Sequence, residues 1–597
     1  MSAEVLSAEL IAVIGLTALA VVMLMAELAP PALVALGLMG VLLVSGIVTP
    51  AEGFAGLADS ATITVAAMFV LSAGLQHTGA VERLGNSLSA LLERHQRLGF
   101  LALLVGAAVA SGFVNNTAVV AVMIPIVIGA ARRAEMSPSQ LLLPLSFASM
   151  LGGVCTLMGT STNLLVSSIV EESDRAPLSF FEMLPLGAVF VALGLAYLWL
   201  VRRWLPKHRG EDDLTSSFEM AEYLTRARLT ESAGMAGLSF GDTRLGKEDM
   251  DVVALMRDDE AIRVAPDTKL RPDDELRIRG RRDTVRELAA EEGLALGLAD
   301  VSDLELEDEG MMLVEVVVSS NSAIAGRPLG EIDLWSRFTA TPLALRRFDR
   351  TEHEDLADKP LSAGDVLLLL VPRDRKRELS RARDLLVISG ESLQPDDPRK
   401  MPLAVAIIAV VVGLAAFGVL PVVVGAPVGA VAMVALRCIE LDDAYQAIDW
   451  DVVFLLAGML ALGKAFAATG ADGLMSTLLV RSYDAAPADV AGYVLVGGLY
   501  LVTLVLTSTM SNQATAALLT PIALSASDSL EVSARPLVMA VAFAASSSFL
   551  TPVGYQTNTM VYGAGHYRFS DFVRIGGPLS LLLSVVAAAL IPAIWPL

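Results

Sequence analysis

The sequence predicts an α-helical polytopic membrane protein, built as two inverted repeats of about five spans plus one re-entrant hairpin each, with an α+β cytoplasmic insert of two tandem domains. Three observations predict it. Hydrophobic residues make up 54% of the 597 and charged residues only 18%, where a soluble globular chain carries about 25% charge. The charge is also concentrated: residues 205–400 hold 29 of the 43 Lys+Arg and 42 of the 65 Asp+Glu. Finally, the two apolar flanks repeat one another's polar residues and prolines in order.

A spanning helix needs about 20 mostly apolar residues. Such runs lie at 8–28, 31–49, 61–80, 141–170 and 182–204, then at 401–419, 421–437, 450–469, 537–562 and 576–596. Two further stretches, 98–131 and 490–527, are each interrupted by a polar tip and read as re-entrant hairpins. Basic residues fix the orientation. Arg83, Arg94, Arg97, Arg132, Arg133, Arg202, Arg203, Lys207 and Arg209 fall on one side, with Arg399, Lys400, Arg437, Arg568 and Arg574. The segments 50–60 and 171–181 hold Glu52, Asp59, Glu171, Glu172 and Asp174 against one Arg175. This predicts a multi-pass protein of the cell (inner) membrane, with the insert in the cytoplasm and both termini outside. Lys464, Arg481 and Arg535 fit the rule less well, and Lys464 is expected to snorkel.

The halves align through Asn115-Asn116-Thr117-Ala118 leading to Pro125-Ile126, against Ser511-Asn512-Gln513-Ala514 leading to Pro521-Ile522. Downstream, Phe147-Ala148 leads to Thr162-Asn163, and Phe543-Ala544 leads to Thr557-Asn558. Upstream, Thr78-Gly79-Ala80 pairs with Thr469-Gly470-Ala471. An odd number of spans per half makes the copies inverted, which with broken helices is the architecture of secondary transporters. The domains are therefore expected at 1–204, 205–300, 301–400 and 401–597.

The interruptions are the candidate sites. They are Ser111–Thr117, Gly159–Asn163, Thr507–Thr515 and Thr551–Thr559, all dense in neutral oxygens and amides. Each opens a helix, so free N–H groups and the positive dipole end face the break, which suits an anion without any Arg or Lys. Freed carbonyls with Asn and Ser/Thr oxygens suit Na⁺. Candidate substrate residues are Asn115, Asn116, Thr117, Thr162, Asn163, Ser511, Asn512, Gln513, Thr515, Thr557, Asn558 and Thr559. Candidate sodium residues are Ser111, Asn116, Gly159, Thr160, Thr507, Ser508, Asn512 and Gly554. An anion held without a fixed positive side chain needs bound Na⁺ to balance it, so each ligand favours the other. Sodium is the only metal expected, as coupling ion, and no cofactor is expected.

Other classes fall away. A net charge of −22 argues against nucleic acid. Two cysteines, Cys155 and Cys438, exclude a disulfide framework, and five histidines show no HExxH or paired ligand spacing. No nucleophile–base pair suggests an enzyme.

These motifs resemble the divalent anion–sodium symporters, within the wider ion-transporter superfamily. The likeness covers both membrane halves, about two thirds of the chain. That family's Ser-Asn-Thr tip signature stands here as Asn115-Asn116-Thr117 and Ser511-Asn512-Gln513, each departing by one residue. The resemblance implies that Asn116 and Asn512 are Na⁺ ligands. The family's Thr-Pro-Pro-Asn breaks stand here as Thr160-Ser161-Thr162-Asn163 and Gln556-Thr557-Asn558, without the prolines. The run Thr551–Asn558 is similar to the sulfate-permease-like branch. The implied activity is Na⁺-coupled uptake of a small divalent anion, sulfate or a related oxyanion ahead of C4-dicarboxylates. Other readings are a cation/proton antiporter or metalloid efflux permease of the same superfamily, and a potassium channel. The last is disfavoured because Pro552 and Gln556 disrupt a filter-like Val553-Gly554-Tyr555.

The insert repeats itself over about 90 residues, with Met235-Ala236-Gly237-Leu238 against Ile324-Ala325-Gly326-Arg327, and Leu270–Leu276 against Leu361–Leu367. Strands are expected at 275–280 and 365–372, closing helices near 282–292 and 373–387, and an acidic linker at Asp300–Glu309. This resembles the C-terminal regulatory domain of potassium-conductance regulators, present twice. The resemblance implies a homodimer and a nucleotide or cyclic dinucleotide ligand on the insert.

Overall fold

The computed structural model describes residues 8–597 except 26–28, 135, 174, 208–223, 231–232, 244, 246–250, 258–259, 263, 280–293, 297–310, 320–321, 348–349, 354–355, 376–377, 380–381, 383, 389–397, 418, 471–476, 478, 482, 488 and 553. The expected helix at 282–292 and the linker Asp300–Glu309 lie outside the described residues.

The first half forms ten helices in the described residues: α1 Ala8–Met25, α2 Pro31–Val44, α3 Pro50–Ala55, α4 Ser60–His77, α5 Ala80–Arg94, α6 Gln96–Ser111, α7 Asn116–Arg133, α8 Ser139–Gly153, α9 Ser161–Glu172 and α10 Leu184–Val201. The apolar runs at 141–170 and 537–562 are not single spans. Each is two helices joined by irregular backbone, because Val154–Thr160 and, in the second run, Ser546–Pro552 with Gly554 and Tyr555 leave the helical path. After the insert come α12 Met401–Ala416, α13 Val422–Ala435, α14 Leu441–Ala447, α15 Trp450–Thr469, α16 Ala491–Thr507, α17 Asn512–Ser529, α18 Ala534–Ala545, α19 Gln556–Ala564 and α20 Phe569–Ile594; the short α11, Leu334–Phe338, belongs to the insert.

Four described helices are long and apolar enough to cross a bilayer, or six counting the bent pairs Thr62–His77 with Ala80–Arg94 and Leu441–Ala447 with Trp450–Phe466. The outer surface of the helical body is apolar, with Val44, Leu200, Val419, Val431 and Leu581 exposed, as lipid contact requires and water would penalise. By contrast α5 is amphipathic. It buries Val81, Gly85, Ser89 and Leu92 and turns Arg83, Glu93 and Arg94 outward, while Glu82 is half-buried.

Packing sorts the helices into two groups. In one, α2 packs on α15 and α4 on α13. In the other, α6 packs on α8, α16 on α18, α17 on α9 and α19 on α7. Each contact thus has a counterpart in the other half.

The insert holds two five-stranded antiparallel sheets. The first contains β1 Leu224–Leu229, β2 Asp251–Arg257, β3 Glu260–Ile262, β4 Glu275–Arg279 and β5 Leu294–Leu296, in the order β3-β2-β4-β1-β5. The second contains β6 Met311–Val318, β7 Thr341–Arg347, β8 Arg350–Glu352, β9 Val366–Pro372 and β10 Leu385–Val387, in the order β10-β6-β9-β7-β8. Read from the opposite end, the second order repeats the first. Both sheets carry a register shift at the same place, Val252/Ala254 and Pro342/Ala344. Both also carry a glycine with positive φ in the loop before the hairpin, Gly237 and Gly326, and the same Arg–Asp bridge, Arg257–Asp274 and Arg347–Asp365. Of the helix expected over 373–387, Glu378 and Leu379 are helical, Arg373–Arg375 form a 3₁₀ turn, and Leu385–Val387 is instead the strand β10, paired with Val316–Val318.

The two sheets differ in one respect. β4 alternates, burying Leu276 and Ile278 between Glu275, Arg277 and Arg279. β9 is apolar throughout and buried on both faces. Leu367, Leu369 and Val371 enter the sheet's own core. Val366, Leu368 and Leu370, with Leu313, Val317, Leu343 and Ala344, join the core of the helical body. A continuous apolar strand is what two covered faces demand. The contact falls on α19: a Cβ at Gly563 would lie 2.8 Å from Gly364 O and 3.0 Å from Val366 Cγ2, and one at Gly364 would lie 2.9 Å from Thr559 Cγ2. Only glycines allow this approach, and Gly364 also has φ +85°.

Candidate functional site

All four polar interruptions lie at helix starts. Asn115 caps α7, accepting from Thr117 N at 3.1 Å. Thr160 caps α9 and Ser511 caps α17 through their hydroxyls. α19 differs, because Tyr555 stands at its cap position and makes no side-chain cap.

Each break is tied to the tip of its own half in the same way. Thr156 Oγ1 donates to Gly112 O, and Thr551 Oγ1 donates to Ser508 O at 2.9 Å. The same hydroxyls accept from Gly159 N at 3.0 Å and Gly554 N at 3.1 Å. Asn163 Nδ2 donates to Thr156 O at 2.9 Å, and Asn558 Nδ2 to Thr551 O at 3.1 Å and Ser548 O at 2.7 Å.

Glycines bring backbone oxygens close at both places. A Cβ at Gly159 would lie 2.3 Å from Gly153 O and 2.7 Å from Ser111 O. One at Gly554 would lie 2.7 Å from Thr507 O and 2.1 Å from Ser548 Oγ. Asn116 and Asn512 close these cages. Asn512 Oδ1 accepts from Thr507 Oγ1 at 2.7 Å, while its Nδ2 is buried with no partner. Asn163 Oδ1 is likewise buried without a partner, in a residue that is 0% exposed. An acceptor stranded in this way costs about 1–3 kcal/mol unless a cation or donor meets it.

The tips also cross to the opposite break. Thr117 Oγ1 donates to Gln556 Oε1 at 3.0 Å, and Gln513 Nε2 donates to Ser161 Oγ at 3.0 Å. These residues occupy matching positions in the two halves. Asn116 Nδ2 lies 2.8 Å from the Tyr555 hydroxyl. Ser146 Oγ donates to Asn558 Oδ1 at 2.7 Å and lies 2.9 Å from Thr557 Oγ1.

The structure therefore brings together Asn115, Asn116, Thr117, Ser111, Gly159, Thr160, Thr162 and Asn163 with Thr507, Ser511, Asn512, Gln513, Gly554, Thr557 and Asn558. Three candidates point elsewhere. Thr515 Oγ1 bonds its own helix at Ser511 O, Ser508 Oγ bonds Leu504 O, and Thr559 Oγ1 bonds Pro552 O beside the insert's Gly364. Tyr555, Gln556, Ser161 and Ser146 belong to the cluster but were absent from the candidate residues. Position alone could have raised the first three, since they align with or lie opposite the chosen ones.

Lys464 lies within electrostatic reach of Glu52 and Glu172, at the rim. Arg535 makes a two-pronged bridge to Glu182 at 2.6 and 2.8 Å and also donates to Ala176 O and Pro177 O. That neutralises a cation on the side where the charge rule expects few. Cys155 packs against Gly187 as a core residue.

Comparison with known proteins gives a consistent result. The CitMHS citrate transporter family model matches residues 21–527 and 490–596. An uncharacterised transporter of Synechocystis is 36% identical over 594 residues, covering 96% of this chain and 95% of that protein. An uncharacterised transporter of Escherichia coli is 30% identical, covering 99% and 100%. A sodium/sulfate cotransporter of Chlamydomonas reinhardtii is 23% identical over 91% of this chain and 84% of its own length.

Proposed function

The chain belongs to the citrate transporter family, and from that premise we propose that it couples inward Na⁺ movement to uptake of a small divalent anion, sulfate or a related oxyanion ahead of C4-dicarboxylates. Its family and relatives are transporters and not enzymes. The observation that carries the proposal is the crossed arrangement of tips and breaks. Four helix starts meet around amides, hydroxyls and backbone carbonyls, and Asn163 Oδ1 is left without a donor. Helix starts favour the anion, and oxygen cages closed by Asn116 and Asn512 favour Na⁺. The Chlamydomonas cotransporter's name pairs the same two ions.

In this reading the halves are inverted repeats, and α6–α7 and α16–α17 are re-entrant hairpins. The group containing α6–α10 and α16–α20 carries the ligands past the frame of α2, α4, α13 and α15. The insert is cytoplasmic and regulatory, with two domains like those of potassium-conductance regulators, a nucleotide-type ligand and a homodimeric assembly. Its second sheet touches α19, the half-helix that follows break two, which gives regulation a direct physical route.

The test is thermal stability of the purified protein. Na⁺ with sulfate should raise the melting temperature by more than the sum of either alone, since linked ligands stabilise cooperatively. Additive shifts would refute coupling, and a larger shift with succinate would move the substrate.

A further inference from the structure

The frame helix α4 borders tip one and break one, and a cavity of about 20 Å³ lies between them. Its walls are mostly apolar, with Met68 and Phe69 from α4, Phe113 from the tip and Met158 from the break. Three polar residues line it: Ser72 of α4, Asn115 of the tip and Ser161 of the break.

Ser72 is 4% exposed, and its Oγ has no hydrogen-bond partner. Neighbouring hydroxyls behave differently. Thr64 Oγ1 donates to Ser60 O at 2.7 Å and Thr78 Oγ1 to Gly74 O at 2.8 Å, each one turn back along the chain. Ser72 Oγ makes no such bond to its own helix. A buried hydroxyl left unpaired is costly, and a methyl group in its place would not be.

The other two polar residues bring donors. Asn115 Oδ1 accepts from Thr117 N at 3.1 Å, which fixes the amide and leaves Nδ2 to donate. Ser161 opens α9, where the first backbone N–H groups have no acceptor within the helix. Donors from both sides thus border one small cavity in apolar surroundings, where hydrogen bonds are strong. The guest that fits is an acceptor. About 10–15 Å³ is enough for one water-sized group, so the cavity takes one oxygen of an oxyanion and not the whole ion.

We propose that Ser72 is a substrate-binding residue supplied by the frame: its hydroxyl donates to one oxygen of the bound anion, which Asn115 and the start of α9 hold from the other side. The inference rests on the coupled-transport reading above and deepens it. The anion then bridges the two groups of helices, and its affinity depends on a residue outside the four polar interruptions. The contribution is one-sided. Counted back from Thr78 and Thr469, the position aligned with Ser72 is Gly463, which has no hydroxyl.

The test compares the wild type with Ser72→Ala in three measurements: sulfate KM in proteoliposomes at saturating Na⁺, the melting temperature without ligands, and the Na⁺-induced melting shift without sulfate. S72A should raise the sulfate KM about tenfold or more, as loss of a hydrogen bond to a charged group requires. It should melt no lower than the wild type without ligands, because the deleted hydroxyl has no partner there. The Na⁺ midpoint should stay in place, since Ser72 belongs to neither oxygen cage. A wild-type KM in S72A overturns the assignment and leaves the cavity to water. A lower ligand-free melting temperature or a shifted Na⁺ midpoint marks a hydroxyl that acts on the fold or the cation, and either overturns it as well. Absence of Na⁺-dependent sulfate uptake in the wild type overturns the coupled-transport reading, and this inference with it.

Discussion

Gly159→Ala is the sharpest single-atom perturbation of the proposed cation cage. The added methyl would lie 2.3 Å from Gly153 O and 2.7 Å from Ser111 O, where ordinary contact begins at 3.4 Å. Both obstacles are backbone, so no side chain can swing aside, and the break must move by about 1 Å. Overpacking of this kind costs about 1–3 kcal/mol. The carbonyls displaced are the proposed ligands, so the cost falls on the Na⁺-bound form. The half-saturating Na⁺ concentration should rise about 5- to 150-fold, read from Na⁺-dependent uptake and from Na⁺-dependent melting. Gly413→Ala is the control, because nothing lies within 4 Å of its Cβ position. A wild-type Na⁺ dependence in G159A, with the protein folded, would refute the cage.

Further outcomes follow from the same geometry. Asn116→Ala and Asn512→Ala should each abolish coupled uptake while gel filtration still shows a folded protein; full uptake in both removes these asparagines from the site. Val317→Asp places a carboxylate on the sheet face that meets the helical body, a burial cost of about 1–3 kcal/mol or more. The insert should then be cut at least about tenfold faster in limited proteolysis, and an unchanged rate would refute the docking. Arg535→Ala strips Glu182, whose side chain is 18% exposed, of its two-pronged partner. The loss should be about 1–3 kcal/mol, visible as a lower melting temperature that rising salt partly erases in the wild type.

The sequence made the large features legible for physical reasons. Bilayer burial imposes apolar length, and the charged insert stands out against it. The tips were legible because Asn115, Asn116, Ser511 and Asn512 interrupt apolar runs and sit nine or ten residues before matched prolines. The breaks were harder to place. Val154-Cys155-Thr156-Leu157-Met158 is as apolar as a helix interior, so composition cannot show that the backbone unwinds there to give Thr156 its contact with Gly112. The run Val366–Val371 was visible as a strand, yet its unbroken apolarity carried a second message, burial on both faces, that alternation in Glu275–Arg279 does not. Residues 373–387 mix charged and apolar side chains in a way that suits a helix, and Glu378 and Leu379 are helical, but Leu385–Val387 instead completes the edge beside Val316–Val318. Tyr555 was in view within its motif, but its contact with the Asn116 amide, 439 positions away, is one that no local pattern encodes.

The most direct measurement of the central claim is uptake of labelled sulfate and labelled succinate into proteoliposomes, with and without an inward Na⁺ gradient. The account predicts sulfate accumulation that requires the Na⁺ gradient and exceeds that of succinate. Uptake driven by a pH gradient in the absence of Na⁺, or cation flux without anion uptake, would contradict it.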